Sequence, residues 1–184
     1  MDKEEIILGI DPGTTVMGYG LISRKGQQMT LLSLGVVQLK AYASHPLKLK
    51  NIFERTLSLI SQYHPDCLAI EAPFYGKNVQ VMLKLGRAQG VAMAAALYRD
   101  IPIFEYSPKK IKLSITGNGN AGKEQVAAML KQLLQFRESP EFLDATDGLA
   151  AAVCHAFQKD PGSPSGKKFS GWDAFLKANP DRKI

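Results

Sequence analysis

The sequence predicts an α/β domain on a five-stranded mixed sheet, a three-stranded antiparallel meander plus parallel strands, flanked by helices. Three observations carry this expectation. Strand-like segments separated by short turns fill the first part of the chain. An amphipathic helix then leads to a fourth strand. A second helix leads from that strand to a fifth, a βαβ crossover that makes the two strands parallel.

The first strand, about Glu5 to Asp11, is apolar through Ile6-Ile7-Leu8-Gly9-Ile10 and ends in Asp11 and the turn Pro12-Gly13-Thr14-Thr15. A short buried strand is stiff, so an acid at its tip is held still. Pro12 biases Asp11 toward an extended backbone, and Gly13 is expected to let a phosphate or metal-bound ligand approach the main chain. Strands from Met17 to Arg24 and from Gln28 to Leu39 follow, with Lys25-Gly26 as the hairpin signal. Between Pro46 and Tyr63, Leu49, Ile52, Phe53, Leu57 and Ile60 recur at three- and four-residue steps, as a one-faced helix requires. Strand four, Asp66 to Glu71, also ends in an acid. A helix from Asn78 to Arg99 and a strand from Ile101 to Tyr106 complete the crossover. In that helix Gly86, Gly90 and Ala94 sit at four-residue spacing and suggest tight packing, on the domain's own sheet or on a second subunit.

After Pro108 a basic segment, Lys109-Lys110-Ile111-Lys112, precedes a Gly/Asn-rich loop over 117–122, a helix from Lys123 to about Phe136, and an Ala-rich helix opening near Asp144. Beyond Gln158 the composition turns to Pro, Gly, Ser and Lys, so 159–184 reads as a flexible linker and a short tail bearing Phe169, Trp172, Phe175 and Leu176.

The 184 residues suffice for one ordinary core, and the net charge is +6. A basic exterior around convergent acids suits a polyanion with a divalent metal; a merely basic protein is the plain alternative. The two cysteines, Cys67 and Cys154, lack metal-ligand spacing and read as buried thiols of a reducing cytosol. No apolar run approaches a membrane span, and a soluble cytoplasmic protein is expected.

Strands one and four as neighbours bring Asp11 and Glu71 to one sheet edge, and Asp144 and Asp147 share a helix face. Four close acids cannot all ionise without cations. Hard oxygen ligands suit Mg²⁺ or Mn²⁺, and two such ions roughly 3.5–4 Å apart activate water and stabilise a leaving oxygen at phosphorus. The implied reaction is phosphodiester hydrolysis. Each acid also has a structural reading: Asp144 as a helix N-cap, Asp147 as a macrodipole partner, Asp11 as a turn residue and Glu71 as a partner for Lys77. Their coincidence favours a site.

Gly9-Ile10-Asp11-Pro12-Gly13 with Gly18-Tyr19-Gly20, and Ala69-Ile70-Glu71 with Phe74 and Lys77-Asn78, closely resemble the RuvC crossover junction endodeoxyribonuclease family. Leu85-Gly86 with Gly90-Val91-Ala92, Phe104-Glu105-Tyr106, and Asp144-x-x-Asp147 with Leu149-Ala150 fall in the same family order. The resemblance covers roughly residues 5 to 157. It implies an RNase H-like nuclease domain over 1–158, a homodimer, and Mg²⁺-dependent nicking of Holliday junctions that leaves 5′-phosphate and 3′-hydroxyl ends. It also implies two Mg²⁺ per site, for which Mn²⁺ substitutes, and work with a RuvA–RuvB branch-migration complex. It gives catalytic and metal-binding roles to Asp11, Glu71, Asp144 and Asp147. Positions matching Lys112 and Lys123 lie near the scissile phosphate in the family; of Phe74 and Tyr75, one of which in the alternative reading caps the core, the resemblance favours Phe74 as the residue that stacks on a base, and Lys77 and Lys109 join them as candidate DNA-binding residues. The lysines around the Gly/Asn loop are read as sitting on a mobile loop, where Lys109 and Lys110 individually look like a solvated basic face. Gly148 stands where the family usually has Ala and is expected to loosen the helix slightly. Because one four-acid site cuts one strand, a roughly two-fold junction calls for an isologous dimer.

Competing readings are an actin-like ATPase, which Ile10-Asp11-Pro12-Gly13-Thr14-Thr15 also resembles, a related nuclease acting on RNA, and a junction-binding module with a decayed site. The chain has room for one domain where an actin-like ATPase needs two, and all four acids of the nuclease pattern are present.

Overall fold

A computed structural model of the chain describes residues 3–73, 76, 78–136 and 142–158. The first strand, β1 (Glu5–Asp11), pairs antiparallel with β2 (Val16–Lys25), which pairs antiparallel with β3 (Gln28–Gln38). Lys25 and Gln28 face each other across a two-residue turn in which Gly26 has φ 60°, so the hairpin signal marks its turn correctly. Helix α1 (His45–Tyr63) leads to β4 (Cys67–Glu71), and α2 (Val79–Leu97) leads to β5 (Ile103–Tyr106); β1, β4 and β5 run parallel. Among the described residues the sheet order is β3-β2-β1-β4-β5, the mixed five-stranded arrangement expected.

Strand parity divides the core in two. Leu8, Ile10, Met17, Tyr19, Leu21, Leu68 and Ile70 pack against Ile52, Leu59, Ala88, Ala92 and Ala96 of α1 and α2. Ile7, Ile22, Cys67 and Ala69 pack on the other face against α3 (Pro108–Thr116), α4 (Lys123–Leu134) and α5 (Phe142–Gln158). Side chains alternate along a strand, so Asp11 and Glu71 belong to the face that α5 covers.

Helix α5 lies on that face at backbone contact. Gly9 pairs with Gly20, and Asp11 with Gly18. A Cβ at Gly9 would come 2.6 Å from the Ala152 amide nitrogen, and one at Gly20 would come 2.5 Å from Leu149 Cα. From the helix side, a Cβ at Gly148 would come 2.5 Å from the Gly18 carbonyl oxygen. Gly148 therefore fits the helix tightly to β2, a packing role beside the slight loosening of the helix expected of it. Gly13 closes its own turn, since a Cβ there would overlap the Val16 carbonyl oxygen, and its backbone lines the cleft at the tip of β1.

The segment read as a basic loop is helix α3. Pro108 opens it, the Ser107 hydroxyl accepts a hydrogen bond from the Lys110 amide at 3.3 Å, and Gly117 at φ 73° ends it. These are regular start and stop signals, and Ile111 and Ile115, four apart, are its buried stripe. Three lysines thought mobile thus stand on a packed helix. His45 is the first residue of α1, one position ahead of the expected start at Pro46. In α2, Cβ atoms at Gly86 and Gly90 would meet nothing within 4 Å, so among the described residues these glycines are not packed on the domain's own sheet.

Gly9→Ala should cost roughly 1–3 kcal/mol by overpacking, whereas Gly86→Ala, in an open helix face, should gain up to about 1 kcal/mol from helix propensity. Urea unfolding of the two variants checks both signs.

Candidate active site

The acids meet because three elements end at one place. Ile10 pairs with Ile70 across the parallel β1–β4 ladder, so Asp11 and Glu71 are the next residues at adjacent strand tips. Helix α5 crosses those tips with its first turn. Asp144 lies within that turn and not at the cap, since the helix begins at Phe142. Asp147 points inward with its side chain 18% exposed, while Asp144 at the rim is 54% exposed. Asp11, Glu71 and Asp147 line a cleft of about 360 Å³ together with Pro108, Ile111, Lys112 and Lys123. A larger depression of about 570 Å³ against α4 brings in one acid, Glu124, and no convergent set.

Lys123, the first residue of α4, sends its ammonium among the acids. It donates a hydrogen bond to Asp147 Oδ2 and lies 3.8 Å from Asp144 Oδ1. The oxygens of the four acids do not gather within 4.8 Å of one another among the described residues; they are disposed around this cation. Burial raises Asp11 from the usual carboxylate range to about 7, with Asp147 and Asp144 adding repulsion and Lys123 opposing it. Burial likewise raises Glu71 to about 8, with Asp11 and Asp147 reinforcing the shift. Asp147 is also raised by burial, against the hydrogen bond and charge of Lys123. Burial alone would lower Lys123, but its bond to Asp147 and the surrounding acids leave it above the ordinary lysine value. This is a concentration of negative charge short of cations, and its all-oxygen donor set fits hard divalent ions.

Of the residues assigned to DNA, Lys112 and Lys123 are brought to the cleft, whereas Lys109 packs its stem where a Cβ at Gly119 would fall and lies outside the cleft lining. Lys110 lies over the Tyr106 ring at 5.3 Å. Phe74, Lys77 and the segment 159–184 lie outside the described residues.

The sequence reading missed two supports. Gln89, buried on α2, donates to Glu105 Oε2 at 2.9 Å and toward the Glu71 carbonyl at 3.4 Å, pinning the tip of β4. A glutamine on the Ala88, Ala92, Ala96 stripe is the signal that marks it. On α1, Lys48 donates to the Thr14 carbonyl at 3.1 Å and steadies the turn after Asp11. Burial and then the charges of Arg87, Lys84 and Lys48 lower His45, so a basic cluster flanks that turn. No sequence spacing announces it, because α1 and α2 meet there only in three dimensions.

A mixed sheet with acids at the tips of its first and fourth strands, and two more on a helix laid across them, defines an RNase H-like protein. The family described as crossover junction endodeoxyribonuclease RuvC matches residues 7–155. The RuvC of Cytophaga hutchinsonii is 62% identical over 179 residues, covering 97% of this chain and 88% of that protein. The Bacteroides fragilis RuvC is 60% identical over 183 residues, covering 98% and 96%. Among solved structures, T. thermophilus RuvC in complex with a Holliday junction substrate superimposes with a TM-score of 0.77 at 32% identity, over 84% of this chain and 94% of that one. The chain belongs to the RuvC family of crossover junction endodeoxyribonucleases.

The raised acids give a signed pH dependence. Between the unfolded carboxylate values near 4 and the folded values of about 7 and 8, the folded protein holds more protons than the unfolded chain, so metal-free stability falls as pH rises. Thermal unfolding in EDTA should show a lower Tm at pH 8 than at pH 5. Mg²⁺ should restore more of it at pH 8, and Lys123→Ala should steepen the metal-free fall.

Proposed function

We propose that this chain resolves Holliday junctions during recombination and repair by metal-dependent phosphodiester hydrolysis, with Asp11, Glu71, Asp144 and Asp147 as its metal-holding catalytic acids. As a family member it is an endodeoxyribonuclease and a hydrolase. The observation that supports the site assignment is the meeting of Asp11, Glu71 and Asp147 in one cleft with Asp144 at its rim, where burial first and mutual repulsion second raise the proton affinities of Asp11 and Glu71. Mg²⁺ is the proposed ion, two per site, with Mn²⁺ as a substitute; when bound, the ions supply Lewis-acid activation of water and charge stabilisation of the leaving oxygen.

The protein's own share is placement and charge. The sheet fixes Asp11 and Glu71 at adjacent tips, and α5 fixes Asp147 opposite them. Lys123 neutralises the acids in the metal-free protein; with the acids holding metal, its ammonium and that of Lys112 would be available to meet the phosphate, where a cation stabilises the charge developing at the scissile group. Phosphates farther out meet the basic surface, including the cluster of Lys48, Lys84 and Arg87 beside the turn after Asp11. Phe74 is proposed to stack on a base at the crossover, and Lys77 and Lys109 to add phosphate contacts.

We also propose a homodimer. One cleft cuts one strand, and a two-fold junction presents two. Gly86, Gly90 and Ala94 form an open seam on α2 beside Leu83 and Leu97, which are 50% and 60% exposed. A symmetric helix pair there brings two backbones close. Work with a RuvA–RuvB motor follows as a proposal from the family alone.

Labelled four-way junction, linear duplex and structured RNA, each compared in Mg²⁺ and EDTA, test the substrate; paired nicks confined to the junction and to Mg²⁺ are expected, and equal cleavage of RNA would overturn the reading. Asp11→Asn should slow nicking at least ~100-fold, since several kcal/mol of metal-borne stabilisation is lost, while junction binding in Ca²⁺ persists and metal-free Tm stays level or rises. Gly90→Glu should give a folded monomer in sedimentation and lose paired cutting.

A further inference from the structure

We propose a second metal site, suited to Zn²⁺ and not to Mg²⁺, formed by Glu5, Cys67 and His155 at the end of the sheet opposite the acid cleft. The three residues supply a carboxylate oxygen, a sulfur and an imidazole nitrogen, all within 4.8 Å of one another. Glu5 begins β1, Cys67 begins β4, and His155 lies near the end of α5. Six residue steps of extended β1 separate Glu5 from Asp11, on the order of 20 Å, so no ligand is shared with the cleft.

The chemistry of the set is distinct from that of the acid site. Thiolate and imidazole are ligands for zinc and cobalt, whereas Mg²⁺ takes oxygen. A thiolate, a carboxylate and a neutral imidazole together balance a divalent ion, which leaves no net charge where Cys67 and His155 are 1% and 2% exposed. Glu5 Oε1 and Cys67 Sγ are 4.0 Å apart. Tetrahedral zinc holds such ligands roughly 3.3–3.7 Å apart, so this pair needs to close by only a few tenths of an ångström, the imidazole nitrogen starts within 4.8 Å of both, and half-buried Glu5 provides the entry side.

A supporting shell is already built. The Tyr106 hydroxyl lies 2.6 Å from His155 Nδ1, and the imidazole stacks on Phe104 with ring centroids 4.3 Å apart. When Nδ1–H is given to Tyr106, the lone pair resides on Nε2. Ligand histidines are held in this manner, with one nitrogen on the ion and the other hydrogen-bonded to an outer group. An ion there would tie β1, β4 and α5 together, the three elements whose opposite ends carry the catalytic acids.

The test uses the full chain, dialysed after exposure to Zn²⁺ in excess Mg²⁺, with metal content measured and Co²⁺ substituted as a spectroscopic probe. One zinc per chain and a thiolate-to-cobalt charge-transfer band are expected. Both should vanish in Cys67→Ala and weaken in Glu5→Gln, while Asp11→Asn retains both. Tyr106→Phe should weaken zinc affinity by about 10-fold through loss of the outer hydrogen bond. Should Cys67→Ala fail to fold, Glu5→Gln and Tyr106→Phe decide. Absence of the cobalt band in the parent protein, or zinc retained equally by every variant, overturns the site and leaves the three residues as a hydrogen-bonded cluster.

Discussion

The backbone contact between α5 and the β1–β2 pair is the constraint on which the rest of this structure depends. Helices usually stand off a sheet by the thickness of two side chains, but here Gly9, Gly18 and Gly20 clear one side and Gly148 the other. The helix therefore lies low enough for Asp147 to enter the cleft formed by Asp11 and Glu71. A methyl group at this contact must move main chain, because the opposing atoms are carbonyls, amides and Cα positions with no rotamer to change. The precision of the site is thus set by the glycines that are absent from its lining.

Fixing three acids in a partly buried cleft, with a fourth at its rim, conflicts with the ionisation of the buried ones. The fold tolerates this by taking up protons, as the raised Asp11 and Glu71 show, and by drawing Lys123 inward from the start of α4. Both are replaceable. The same acids would hold a divalent ion, whose charge would offset theirs in place of the protons and the ammonium, so a site strained by its own charge suits a cation. Helices α3 and α4 carry Lys112 and Lys123 on packed surfaces, and rigid elements hold cations nearer to a fixed phosphate than a mobile loop does.

The two ends of the same strands offer different donors. One end presents carboxylates alone; the other joins a carboxylate to a thiol and an imidazole. β1, β4 and α5 contribute to both ends.

The sequence by itself determined the order of strands and helices, the parity that turns Asp11 and Glu71 to one face, and the family pattern of the four acids, because these follow from local periodicity and from motifs a few residues long. It misplaced α3, whose start and stop signals were present at Ser107-Pro108 and Gly117 but were masked by its lysines. Tertiary structure alone decided the roles of Gly9, Gly18, Gly20 and Gly148, the entry of Lys123 among the acids, the bracing of Glu71 by Gln89, and the meeting of Glu5, Cys67 and His155. Each of these rests on the distance between segments remote in the chain, and that distance is set by how closely two backbones pack, which no single segment encodes.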